Sequence, residues 1–159
     1  MSAEGLTSDS GRAYSDRMKT RVTGIGGIFF KAKNPGKLGA WYRKRLGIPV
    51  ENWGGWSFAW RDVRDARRKG ATVWSPFEAD TDYFAPSRKP FMLNFRVEDL
   101  DAVLAALRSE GVRVIPKIEE SEFGRFGWIL DPEGTKVELW EPPAGRRRRR
   151  AKSKTRARD

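Results

Sequence analysis

Apolar residues recur at helical spacing in two stretches of the chain. Leu38, Trp41 and Tyr42 fall at i, i+3 and i+4 behind Asn34 and Pro35, with Gly47 after them; Leu100, Val103, Leu104 and Leu107 repeat the spacing behind Asp99, with Gly111 closing the run. Asn and Asp accept hydrogen bonds from the first free amides of a helix, proline fits its first position, and glycine adopts the left-handed turn that ends it. The pattern predicts two amphipathic helices. Each follows a strand-like apolar stretch, Gly24 to Lys31 and Pro90 to Val97, and each precedes shorter segments of β-type composition. After the first helix these are Ile48 to Glu51, the alternation Trp56, Phe58, Trp60, and Thr72 to Phe77; after the second they are Val112 to Pro116, Phe126 to Leu130, and Thr135 to Trp140. The order βαβββ therefore occurs twice, over about 22–79 and 89–142, with Gly70 and Gly134 lying 64 positions apart. A repeat of this length implies two units that bury their apolar faces together in an α+β domain. The Arg- and Asp-rich stretch from Asp62 to Gly70 reads as an exposed hairpin connection.

Charge divides the chain further. The formal net charge is +11, but Ala144 to Asp159 holds nine Lys/Arg against one acid, whereas Met18 to Pro143 holds 21 against 17. One domain over 21–143 is expected, between a polar segment at 1–20 and a basic tail at 144–159, both expected to be disordered. Such a tail implies weak, non-specific and salt-sensitive contacts with nucleic acid. No apolar run approaches the roughly 20 residues that cross a bilayer, and the first residues carry no apolar signal core, so a cytoplasmic, non-membrane protein is expected. The chain contains no Cys and no His, which removes thiolate chemistry, imidazole general bases and the commonest transition-metal ligand.

The segments LGAWYRKRLGI in the first half, and FRVEDLDAVLAALRSEGV and ILDPEGTKVELWEP in the second, resemble the vicinal oxygen chelate superfamily of glyoxalases, bleomycin-resistance proteins and ring-cleaving dioxygenases. The resemblance covers about Val22 to Pro142 and implies two βαβββ repeats whose paired U-shaped sheets enclose a cleft for metal and substrate. Metal-bearing members place ligands on the first and last strand of each half, which by motif and repeat alignment fall here near Gly27, Trp74, Met92 and Glu138. Glu138 is the one hard ligand in that set, and a divalent site needs three or four N or O donors. No metal and no cofactor is therefore expected.

Period-two alternation turns Glu138 away from Val137 and Leu139 and into the cleft. There it is either a proton donor or acceptor, or a former ligand position now tied to Asn94 or Lys136. Met92, Asn94 and Arg96 share one strand face; Asn94 offers an amide to a ligand, and Arg96 is either a carboxylate anchor or one half of a rim ion pair with Glu98 or Asp99. Trp56, Phe58, Trp60, Trp74, Trp128 and Trp140 either shape an apolar ligand pocket, fill the cleft, or pack against a second subunit. Tyr83 and Phe84, in the loop ADTDYFAP between the halves, are a lid or a plain linker.

Three functions follow from these residues. The first is a metal-independent protein that binds a small, partly aromatic molecule through Trp56, Trp60, Trp74, Met92, Asn94, Arg96, Trp128 and Trp140. The second is a lyase or isomerase in which Glu138 transfers a proton without metal, and the third is a nucleic-acid-associated protein acting through its tail. The mildly basic core makes cationic bleomycin a poor ligand. Open sheet edges favour a homodimer.

Overall fold

The computed structural model describes residues 21–144, so the segments expected to be disordered lie outside the described residues apart from the junction at Ala144. The first half contains β1 (Val22–Ala32), α1 (Pro35–Leu46), β2 (Trp56–Arg61) and β3 (Lys69–Glu78). The second contains β4 (Phe91–Val97), α2 (Leu100–Ser109), β5 (Arg113–Ser121), β6 (Gly124–Leu130) and β7 (Lys136–Glu141).

Both helices begin and end where their caps dictate. The Asn34 side chain accepts from the Lys37 amide at 2.8 Å, and the Asp99 side chain accepts from that of Ala102 at 2.9 Å. Gly47 and Gly111, at φ of 67° and 81°, take the left-handed turn that other residues resist. The Asp131 carboxylate accepts from the amides of Glu133 and Thr135, which closes the turn into β7.

All seven strands join one sheet in the order β2-β3-β1-β4-β7-β6-β5. The halves meet where β1 and β4 pair antiparallel, and each half closes its last strand parallel to its first. The repeat is incomplete in one respect. Ile48 to Glu51, expected as a strand, makes no ladder: Pro49 lacks an amide hydrogen, Val50 bonds back to Ile48, and Glu51 closes a tight turn with Gly54 and Gly55. This leaves β2 on the outer edge, with two strands rather than three after α1.

Both helices pack on one face of the sheet. Leu100 and Leu104 of α2 bury against Val97, Val137 and Leu139, joined by Phe95 and Ile129. Tyr42 of α1 packs at a tilt against Trp74, which also meets Phe30. The opposite face carries a second cluster of Phe29, Met92 and Trp128, covered by Phe84 from the loop between the halves. No helix among the described residues is long and apolar enough to cross a membrane.

Candidate functional site

Glu138 lies at the centre of the helix-free face. The alternation predicted for β7 holds: Val137 and Leu139 join the α2 core, and Glu138 turns the other way, 2% exposed. Parallel pairing sets Asn94 of β4 directly beside it, and antiparallel pairing sets Trp128 of β6 on its other flank. Asn94 Nδ2 donates to Oε1 at 2.7 Å, while Trp128 Nε1 and the Tyr83 hydroxyl donate to Oε2 at 2.8 and 2.6 Å. Burial pushes the Glu138 carboxyl above its ordinary range, opposed by these three donors and by the Lys136 ammonium. The Tyr83 phenol is also held well above its usual range, chiefly by burial and then by the Glu138 charge.

The loop between the halves closes over this carboxylate. Tyr83 is stacked on Phe77 (5.5 Å between centroids, 12° between planes) and meets Trp128 edge-on at 6.3 Å. Lys136 Nζ lies 5.2 Å from the centres of both the Tyr83 and Trp128 rings and donates to the Tyr83 carbonyl at 2.6 Å. Phe84 is fully buried, whereas Tyr83 remains partly exposed at the rim. Sequence alone leaves this loop as a lid or a linker and does not foresee the bond from Tyr83 to Glu138. The signal was two adjacent aromatics in an otherwise polar loop, since such a pair needs somewhere to bury.

Asn94 is 3% exposed, and its Oδ1 has no hydrogen-bond partner. Its amide is oriented by Glu138, which requires a donor on that side. Oδ1 instead rests against Gly26 of β1, where a β-carbon would lie 2.1 Å from it and 2.9 Å from the Trp140 ring. Glycine is required here for the approach of β1, quite apart from backbone conformation.

The other expected site residues separate. Met92 is fully buried beside Phe29 and Trp128, two residues along the strand from Asn94. Trp140 stacks on Phe126, with 7° between planes, and donates to the Phe123 carbonyl. Trp74 does not reach the cleft. β1 and β3 pair so that Val73 stands beside Gly27, which sends Trp74 and its cross-strand partner Trp56 to the other side of the sheet, Trp74 against α1. Because side chains alternate strictly, a register one residue from the expected one moves the indole to the opposite face.

Trp60 and Arg96 meet at the far end of the sheet, the guanidinium 5.9 Å from the ring centre. Arg96 donates to the Lys69 carbonyl instead of pairing with an acid, and Arg68 takes Glu98 at 3.1 Å. These residues line a surface depression of about 290 Å³, and an adjoining one of about 320 Å³ extends along Arg96 to Pro142. Glu138 lines neither.

The positions that the resemblance assigns to metal ligands do not fit a divalent ion here. Gly27 has no side chain, Trp74 lies against α1 on the other face, Met92 is buried with Phe29 and Trp128, and both Glu138 oxygens already accept from protein donors. Among the described residues no group of three or more His, Cys, Asp or Glu side chains converges as a metal site would require.

The fold has solved counterparts. Methylmalonyl-CoA epimerase from Mycobacterium tuberculosis is 21% identical with a TM-score of 0.50, over 82% of this chain and 96% of that one. A variant of the Streptomyces coelicolor methylmalonyl-CoA epimerase, in complex with 2-nitronate-propionyl-CoA, is 22% identical with a TM-score of 0.57, over 77% of this chain and 99% of that one. No curated protein matches this chain significantly in sequence. Residues 27–140 match the family model described as the glyoxalase-like domain, so the chain belongs to that family, within the vicinal oxygen chelate superfamily.

Proposed function

We propose that this protein is a metal-independent member of its family that binds a small, partly aromatic molecule over Glu138, on the helix-free face of the sheet. One observation carries the reading. The carboxylate on the last strand, where metal-bearing relatives place a ligand, has both oxygens taken by the side chains of Asn94, Trp128 and Tyr83. Neutral donors thus occupy the space around Glu138 that a cation occupies elsewhere, and the surrounding surface is aromatic. Relatives of this fold hold small molecules, as in the epimerase complex with methylmalonyl-CoA and ammonium.

Binding of small aromatic alcohols, amines and carboxylates, followed by calorimetry in the presence of EDTA, tests the reading. Saturable binding that EDTA leaves unchanged and that Trp128→Phe weakens is the expected result. Binding that appears only after Mn²⁺, Ni²⁺ or Zn²⁺ is added contradicts it. Self-association belongs to the same proposal, supported by the open edge of β2 and by the exposed Trp41, Trp53 and Phe58 of the first half. A dimer mass in light scattering is the expected readout.

A further inference from the structure

We infer that Tyr83 is a built-in stand-in for the ligand, and that the site over Glu138 takes a phenol: an aromatic ring whose hydroxyl donates to the carboxylate once the Tyr83 side chain swings out. The inference rests on the small-molecule reading above and specifies its chemistry. The Tyr83 ring has three fitted neighbours. Phe77 stacks on it, Trp128 meets it edge-on, and Lys136 lies over the π cloud. The hydroxyl is 2.6 Å from Glu138 Oε2, the length of a strong hydrogen bond to an ionised acceptor. These contacts recognise a phenol group whether or not a peptide chain is attached to it.

Release of the ring is a local event. Phe84 is fully buried and the Tyr83 carbonyl is held by Lys136, so the backbone stays anchored while the side chain rotates about its Cα–Cβ bond. Of the three donors on Glu138, Trp128 and Asn94 are fixed in buried positions on strands, and Tyr83 alone sits at the rim. It is the one donor that can be exchanged. An intramolecular occupant lowers the apparent affinity for a free ligand by the fraction of time that it vacates the site, so closure by Tyr83 also sets a threshold concentration for binding.

p-Cresol, the Tyr side chain as a free molecule, and toluene, the same ring without the hydroxyl, are the probes. Ligand-observed NMR would measure both on the wild-type protein and on Tyr83→Ala. Tyr83→Ala is expected to bind p-cresol at least tenfold more tightly than the wild type does, and at least tenfold more tightly than it binds toluene. Toluene is the more hydrophobic of the two, so a void that merely accepts apolar rings would favour it. Equal or tighter binding of toluene therefore overturns the phenol assignment while leaving the broader small-molecule reading intact. Absence of both probes from Tyr83→Ala removes the assignment and, if the wider ligand panel also fails, the broader reading with it. Equal p-cresol affinity in the wild type and the variant also overturns the inference, because Tyr83 would then not share the site. Should Tyr83→Ala not fold, Tyr83→Phe keeps the ring and loses the latch to Glu138; it should bind p-cresol several-fold more tightly than the wild type, and unchanged affinity contradicts the inference.

Discussion

Replacing Glu138 by glutamine and by leucine separates the role of its charge from the role of its hydrogen bonds. Leucine removes the acceptor for three donors. Tyr83 can turn its hydroxyl towards water, but Asn94 Nδ2 and Trp128 Nε1 are on side chains 3% and 2% exposed and would be left unpaired. Each unsatisfied buried donor costs about 1–3 kcal/mol, so the pair costs about 2–6 kcal/mol. Added apolar burial offsets about 1–2 kcal/mol, which leaves a net loss of up to about 5 kcal/mol. Glutamine keeps the shape and one carbonyl oxygen for Tyr83 and Trp128. Its amide nitrogen then faces Asn94, which turns its own amide round so that Oδ1 accepts and Nδ2 replaces it as the one atom without a partner, leaving the number of unpaired atoms on Asn94 unchanged. Glu138→Gln is therefore expected within about 1 kcal/mol of the wild type at pH 7, on the stabilised side, because no charge is then desolvated. Urea unfolding followed by tryptophan fluorescence measures both variants. A glutamine variant as unstable as the leucine one would refute the reasoning and mean that the negative charge itself is held by an unseen cation.

The pH dependence carries a definite sign. Glu138 has its carboxyl raised in the folded state, so its contribution to stability is fully present below the unfolded glutamate value and is lost as pH rises through the folded value. Stability of the wild type relative to Glu138→Gln should thus increase on acidification from neutral pH towards the ordinary glutamate range, and a difference that stays flat in paired urea titrations would contradict the burial argument. Gly26→Ala should cost about 1–3 kcal/mol in chemical denaturation, because the new methyl meets Asn94 and Trp140; Gly36→Ala, where the nearest atom is 3.7 Å away, should cost nothing. Trp74→Ala should lose about 2–4 kcal/mol of stability through its contact with α1 while leaving ligand affinity in calorimetry unchanged, and a large affinity loss would return Trp74 to the binding surface.

Much of the fold was legible because local signals agreed with one another. The caps at Asn34 and Asp99, the stops at Gly47 and Gly111 and the turn at Asp131–Gly134 each fixed an element boundary within a residue or two. Alternation along β4 and β7 turned Asn94 and Glu138 to the same face, with Asn94 or Lys136 as the alternative partners of the carboxylate, and the regular pairing of the two strands sets Asn94 beside it. The repeat alignment failed where the two halves are not in step. Matching Gly70–Trp74 to Gly134–Glu138 set Trp74 at the position of Glu138, but Val73 is the residue that pairs with Gly27, so Trp74 was assigned to the wrong side. The Ile48–Glu51 strand failed for another reason: β composition says nothing about whether a partner is within reach. Tyr83 escaped notice as a partner of Glu138 because the contact spans 55 positions and depends on a loop that no periodicity describes.

On the proposed reading, the side chains of Asn94, Trp128 and Tyr83 stand around Glu138 in place of a metal. Calorimetric titration of Mn²⁺, Ni²⁺ and Zn²⁺ into EDTA-treated wild-type protein and into Glu138→Gln tests it most directly. Identical isotherms are expected for the two proteins, with only weak surface binding by exposed carboxylates. A one-to-one site present in the wild type and missing from Glu138→Gln would contradict it.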